Sequence, residues 1–387
     1  MTIKDFLHIY SSNTLAASGN QTLFYSDQRQ YTGRIFYKIR TGGRYNYAFL
    51  YSDIIDSTFN DGTVSRAGTV CGGYTIHSLR AGICRCADFE SFNRAFPSDP
   101  ERLIEMSPDK KDNALCVADF TDITFDGCAS RVIEAGTYAL TDPVSLCFEN
   151  GDFLCLEITY SGTKVPYHNE TIISTYIKNG DAWKESKLMP FPAIVGYDRP
   201  ISKRIAYIGD SITQGSGTPL NSYTHWCAVV SGKLDESIAA WNLGFGFARA
   251  YDAASDGSWL YKAKQNNAVC VCFGVNDILR GRTAAELKLD LKIIVERLIE
   301  NGVKVLVQTP PPFDYNASLT EIWEDVCEYI LTELPQMGCA VFDNREILGK
   351  KESLNMSAYG DHPNSEGCKK WGESLVPAVN ELLSQVK

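Results

Sequence analysis

The sequence predicts two successive architectures: an all-β sandwich over residues 1–198 and an α/β unit built on a parallel sheet over residues 199–387. Three observations carry that expectation. The chain has 387 residues, more than the roughly 100–200 usual for one domain. Up to residue 198, aromatic and β-branched residues come in short runs between turn-forming breaks. Beyond Pro200, short apolar runs alternate with segments of helical spacing, the pattern of parallel strands covered by helices on both faces.

In the first part, GRIFYKIR (33–40) and YNYAFLYSD (45–53) read as strands between Gly-rich breaks. The stretch 144–162 reads as a hairpin: Leu154, Leu156, Ile158 and Tyr160 alternate with Cys155, Glu157 and Thr159, and Asn150-Gly151 supplies the turn. The segment PFPAIVGYDRP (190–200) holds three prolines in eleven residues and reads as the linker. In the second part, RIAYIGD (204–210), SIAAWNLG (237–244), AVCVCFGVND (268–277), KVLVQTPPP (304–312) and CAVFDN (339–344) read as strands. Helices are expected around 223–233, over 283–302 and from about Asn364 to Leu383. The helix over 283–302 places Leu287, Leu291, Ile294 and Leu298 on one face and stops at Gly302. Polar residues gather where strands end, at Asp210-Ser211, Asn242–Gly244 and Asn276-Asp277. In open α/β sheets the site forms outside the carboxyl ends of the strands.

Composition narrows the function. The chain is 44% hydrophobic and 22% charged, with a formal net charge of −10. No basic stripe of a nucleic-acid binder is visible, and the acid excess speaks against an anionic membrane surface. The start, MTIKDFLHIYSSNT, has no signal-peptide core, and no run approaches the roughly 18 apolar residues of a membrane span, so a cytoplasmic location is expected. Thirteen cysteines then read as reduced thiols, because cytosolic glutathione opposes disulfides, and an odd number cannot close a complete disulfide framework within one chain. The C-x-C pairs Cys84/Cys86 and Cys270/Cys272 lack a second matched pair, so no metal and no cofactor are expected; Cys270 and Cys272 suit one face of a strand.

Four short segments, GDSIT (209–213), NLG (242–244), GVND (274–277) and DHPN (361–364), follow one another at strand ends. Together they resemble the SGNH, or GDSL-type, hydrolase superfamily of esterases and deacetylases. The resemblance spans about 203–385 and implies a flavodoxin-like three-layer α/β/α fold. It implies Ser211 as nucleophile and His362 as general base. It further implies an oxyanion hole of the Ser211 and Gly244 backbone N–H groups and the Asn276 side-chain amide. The residue types suit the work. A serine hydroxyl needs a base to take its proton, and an imidazole near its ordinary value of about 6.5 can accept and return one. The tetrahedral oxyanion needs donors already in place, each typically worth about 3–4 kcal/mol. Asp210 is expected to brace the loop through backbone hydrogen bonds, and His225 to be structural; His8, His77 and His168 match nothing in the family pattern.

One departure stands out. The family usually carries an aspartate three residues before the histidine, and here that position is Tyr359. A backbone carbonyl can orient the ring, giving a Ser–His dyad; Asp361, adjacent to His362, or an acid from elsewhere such as Asp343 are the alternatives. In the first half, FTDITFDG, IEAGTYALTDPVSL and the strand after them (120–160) resemble the jelly-roll-like β-sandwich that precedes the catalytic domain in some two-domain SGNH proteins.

The resemblance implies a carboxylic ester hydrolase acting on short-chain, acetyl esters, with a small-molecule or oligosaccharide ester as substrate and no nucleic-acid or membrane partner. Trp226, Trp241, Trp259, Tyr223 and Tyr251 lie near the cleft segments, either to stack on sugar rings or to fill the core. A lysophospholipase or thioesterase acting on longer chains would use the same four segments, and a non-catalytic carbohydrate-binding protein would fit the lost aspartate. A homo-oligomer stays open.

Overall fold

The computed structural model describes residues 2–56, 69–84, 117–348 and 362–386. Its N-terminal region is antiparallel. One sheet runs Ser11–Ser12, Ile194–Tyr197, Gly43–Ser52, Tyr138–Leu140, with Val144–Phe148 also paired to Gly43–Ser52. The other runs Ala182–Glu185, Thr175–Asn179, Tyr31–Lys38, Phe153–Ser161, Tyr74–Cys84, Ala118–Ile123, with Arg131–Ile133 also paired to Tyr74–Cys84. Both contribute to one apolar core: Tyr47, Phe49 and Tyr51 from the first sheet, and Ile35, Tyr37, Leu154, Leu156, Ile158 and Tyr160 from the second, are buried together. Aromatic and β-branched side chains fit such half-covered pleated surfaces.

Two local expectations are corrected here. The strands on either side of Asn150-Gly151 do not pair as a hairpin. Val144–Phe148 lies antiparallel to 43–47, while Phe153–Ser161 lies between Tyr31–Lys38 and Tyr74–Cys84. Gly151 does make the turn, at φ +90°, but the chain crosses from one sheet to the other there. The alternation along 154–160 reported the buried face correctly and could not report the partner. The expected linker is likewise a strand: Ile194–Tyr197 pairs with both Gly43–Ser52 and Ser11–Ser12, and Phe191, Ile194 and Val195 are buried. Its prolines lie outside the paired residues, where no ladder donor is needed.

The C-terminal region holds five strands in the order Ile238–Gly244, Lys203–Gly209, Ala268–Cys272, Lys304–Gln308, Ala340–Phe342, all parallel. Numbered from Lys203–Gly209 as the first, that is the 2-1-3-4-5 order of flavodoxin-like sheets. Period-2 alternation sends Ala206, Ile208, Val269 and Val271 to one face and Ile205, Tyr207, Cys270 and Cys272 to the other. The first face is covered by helices Ser258–Lys264, Ala284–Glu300 and Ala317–Thr332, the second by Trp226–Lys233 and Ser365–Ser384. Ala284–Glu300 is held as expected: Thr283 and Glu286 form a reciprocal N-terminal cap, and Leu287, Leu291, Ile294 and Leu298 are buried. Ala317–Thr332 was not expected, although Asn316 caps it and Val326 and Ile330 lie one turn apart on its buried side. Among the described residues no helix is long and apolar enough to cross a membrane.

The two regions share one core. Ile3, Phe6, Leu7, Leu50 and Ile194 pack in the same cluster as Trp241, Leu243 and Trp259. A buried ion pair, Lys262 with Asp56, ties helix Ser258–Lys264 to the N-terminal region. The Arg40 guanidinium donates to the carbonyls of Ile238 (3.0 Å) and Ser231 (2.8 Å).

Candidate active site

Three neighbouring strands deliver the candidate residues to one edge. Gly209, Gly244 and Cys272 are in register, so the segments that follow them leave the sheet side by side. Gly209 has no room for a side chain: a Cβ would lie 2.4 Å from the Cys272 carbonyl and 2.1 Å from Thr213 Oγ1. Asp210 caps the single helical turn Ser211–Gln214, its Oδ1 accepting the Ile212 N–H at 3.0 Å. This is the bracing role expected from the sequence. Burial pushes the Asp210 carboxyl up to about 7, and the nearby Asp277 adds to the shift.

Ser211 and His362, 151 positions apart in the chain, meet at this edge. Ser211 Oγ and His362 Nε2 are 2.8 Å apart and nearly buried. With the hydroxyl donating, Nε2 is the unprotonated nitrogen, the form a general base requires. His362 is held by more than its own loop. The Phe313 ring stands edge-on to it, centroids 5.4 Å apart. Gly217, at φ +96°, passes so close that a Cβ there would lie 2.9 Å from His362 Cβ and 2.5 Å from the Pro363 carbonyl. Neither Phe313 nor Gly217 was anticipated; the only sequence signal was the Gly215–Gly217 spacing after the GDSIT segment.

The expected oxyanion donors fare differently. Asn276 is nearly buried in the short helix Val275–Leu279, and its Nδ2 donates one hydrogen to the Ala248 carbonyl at 3.2 Å. A primary amide carries a second. The donor role expected of Gly244 does not fit: its N–H already donates to Asn242 Oδ1 at 2.9 Å. What Gly244 provides is close packing, since a Cβ would lie 2.2 Å from the Gln214 backbone nitrogen. Asp277, next to Asn276, accepts the backbone N–H groups of Ala250 (3.0 Å) and Tyr251 (3.4 Å), and burial pushes its carboxyl up to about 7.

Of the acids considered for orienting the imidazole, Asp361 lies outside the described residues, as does Tyr359. Asp343 binds Arg345 through both oxygens (2.9 and 2.6 Å). Although burial would raise it, this pairing holds its carboxyl below the usual range. His225 is structural: it is buried, faces the Leu15 carbonyl at 3.0 Å, and is pushed down to about 4 by burial. His168 is buried too and pushed down to about 3, while His77 bonds Ser161. Trp226, Trp241 and Trp259 fill the core and offer no face to a sugar, whereas Tyr251 is 39% exposed.

Residues 207–370 match the family model described as GDSL-like lipase/acylhydrolase. A comparison with curated proteins finds no match. Among solved structures, the chain is similar to a family two carbohydrate esterase from Clostridium thermocellum in complex with cellohexaose (12% identity, 97% of this chain and 99% of that one, TM-score 0.42). It is also similar to a G-D-S-L family lipolytic protein from Desulfitobacterium hafniense DCB-2 (21% identity, 46% of this chain and 99% of that one, TM-score 0.40). Residues 207–370, the part of the chain that holds Ser211, Asn276 and His362, are thus similar to the GDSL-like lipase/acylhydrolase family.

Proposed function

We propose that the chain is a serine ester hydrolase that cleaves short-chain, acetyl esters of carbohydrate. The single observation that carries the reading is the 2.8 Å contact between Ser211 Oγ and His362 Nε2 at the carboxyl edge of the parallel sheet. Ser211 Oγ attacks the ester carbonyl carbon as His362 Nε2 takes its proton. The carbon–oxygen bond to the alcohol then breaks, and His362 returns the proton to the departing oxygen. Water, deprotonated by the same nitrogen, releases the acid from Ser211. The Ser211 backbone N–H and the second Asn276 Nδ2 hydrogen serve the oxyanion; Gly244 is left out, because its N–H is already bonded to Asn242.

For the substrate, the reading is supported by the segment 168–174 of the antiparallel region packed against the nucleophile loop. That segment holds the nucleophile loop at several points: the Asn221 N–H donates to the Ile172 carbonyl at 2.9 Å and its Nδ2 to Ser174 at 2.8 Å. The Tyr251 ring, though 39% exposed, has the Arg249 and Arg282 guanidinium groups 5.2 and 4.7 Å from its centroid. The test is hydrolysis of acetyl, butyryl, octanoyl and lauroyl esters, and of acetylated oligosaccharides, by wild type and Ser211→Ala. The proposal expects acetyl esters to be preferred and Ser211→Ala to be inactive. Preference for chains beyond about eight carbons would assign a lysophospholipase or thioesterase instead. No turnover by wild type, with no labelling by a fluorophosphonate, would leave a binding protein.

A further inference from the structure

The loop that follows Gly244 is held by a closed ring of four hydrogen bonds built on two fully buried glutamines, Gln21 and Gln214. The Gly246 N–H donates to Gln214 Oε1, and Gln214 Nε2 donates to the Glu170 carbonyl. The Glu170 N–H donates to Gln21 Oε1 at 3.2 Å, and Gln21 Nε2 closes the ring on the Gly246 carbonyl at 2.6 Å. Gln21 and Glu170 come from the antiparallel region. Gln214 lies three residues beyond Ser211, and Gly246 two beyond Gly244. Each glutamine acts once as donor and once as acceptor, which a primary amide can do and an apolar side chain cannot. A Cβ on Gly246 would lie 2.5–2.9 Å from Glu170 Oε2, Cγ and Cβ, so a larger residue there would have to displace the Glu170 side chain.

The clamped peptide leads directly into a strained one. Residues 245–248 form a turn closed by the Ala248 N–H on the Phe245 carbonyl at 3.2 Å, with Phe247 at φ +62°. A phenylalanine keeps that left-handed conformation only where its surroundings over-determine it. The Ala248 carbonyl at the end of the turn accepts Asn276 Nδ2. Contacts therefore run without a break from the glutamine ring through the turn to the Asn276 amide.

We propose that Gln21 and Gln214 are positioning residues for ester hydrolysis: the ring fixes the turn 245–248, and through it Asn276, relative to Ser211. The antiparallel region is then part of the catalytic apparatus. This inference rests on the hydrolase reading above. Gln21 is the residue to test, since it lies in the other region and outside the reacting groups.

In the full chain, Gln21→Met removes both bonds at every pH. Gln21→Glu keeps them while its carboxyl is protonated and loses the donor when it ionises. The expected result for Gln21→Met is a kcat lower by about 10- to 100-fold with KM changed less than about threefold. Gln21→Glu should approach wild-type kcat at low pH and lose it on an alkaline limb that wild type lacks. Wild-type kcat in folded Gln21→Met, or a Gln21→Glu profile parallel to wild type, overturns the positioning role. So does failure of both variants to fold at any pH, which would make the ring purely structural. If wild type hydrolyses no ester, the hydrolase reading fails and the positioning role falls with it.

Discussion

The parallel and antiparallel sheets place their polar side chains differently. The central strands Lys203–Gly209 and Ala268–Cys272 are apolar between their ends, and polar side chains gather beyond them, at Asp210-Ser211 and Asn276-Asp277. In the antiparallel region polar residues sit mid-strand and pair sideways: Glu157 is bonded by Arg34 at 2.8 Å on one neighbouring strand and by Arg80 on the other. Parallel sheets, covered on both faces, concentrate function at their carboxyl edge. Antiparallel sheets can use polar residues for cross-strand pairs. The antiparallel region comes to the site through its loops, with Gln21 and Glu170 against Gln214 and Gly246.

The sharpest way to break this division is at the boundary. Lys262→Met leaves Asp56 buried without its cation, with Ser258 as its remaining side-chain partner among the described residues, and should cost about 3–5 kcal/mol in urea denaturation. A loss below about 1 kcal/mol would mean the pair does not hold the regions together. Gly217→Ala should lower both stability and turnover, because alanine is strained at φ +96°. Its methyl group would press on His362 and Pro363, lowering kcat about 10- to 100-fold with the circular dichroism spectrum unchanged. Unaltered kcat would show that His362 is positioned from elsewhere.

A smaller effect is expected in the pH dependence of stability. Burial raises the Asp277 carboxyl from 3.8 to about 7, so between those values the folded chain holds a proton that the unfolded chain has released. Stability from this group is full below 3.8 and is lost as pH rises toward about 7. Asp277→Asn, which cannot ionise, should flatten that slope, leaving the part due to Asp210; urea midpoints measured across the window check this, and a parallel curve contradicts it. Smallest of all, Thr283→Ala removes the cap of Ala284–Glu300 far from the site. It should cost about 1 kcal/mol with kcat intact, as read by thermal denaturation and ester turnover.

The same contrast governs what could be read from the sequence. The parallel strands were legible because each is a short apolar run ended by polar residues. Ser211 follows one of those strand ends, whereas His362 lies beyond the last strand, and its place beside Ser211 was implied by the family resemblance alone. The hairpin at 144–162 and the linker at 190–200 were misread because alternation and proline content describe a segment alone, whereas sheet partners are set by distant strands. The donor role of Gly244 failed for a similar reason: that Asn242 turns back onto its N–H is a fact of local geometry. Gly217 and Gln21 were invisible because their neighbours, His362 and Gly246, lie 145 and 225 positions away.

The most direct test of the account is to trap the acyl-enzyme. Wild type, rapidly mixed with an activated acetyl ester and quenched in acid, should carry an acetyl group on the peptide containing Ser211 when examined by mass spectrometry. His362→Ala should accumulate it far more slowly and Ser211→Ala not at all. Ester turnover that continues in Ser211→Ala would contradict the account.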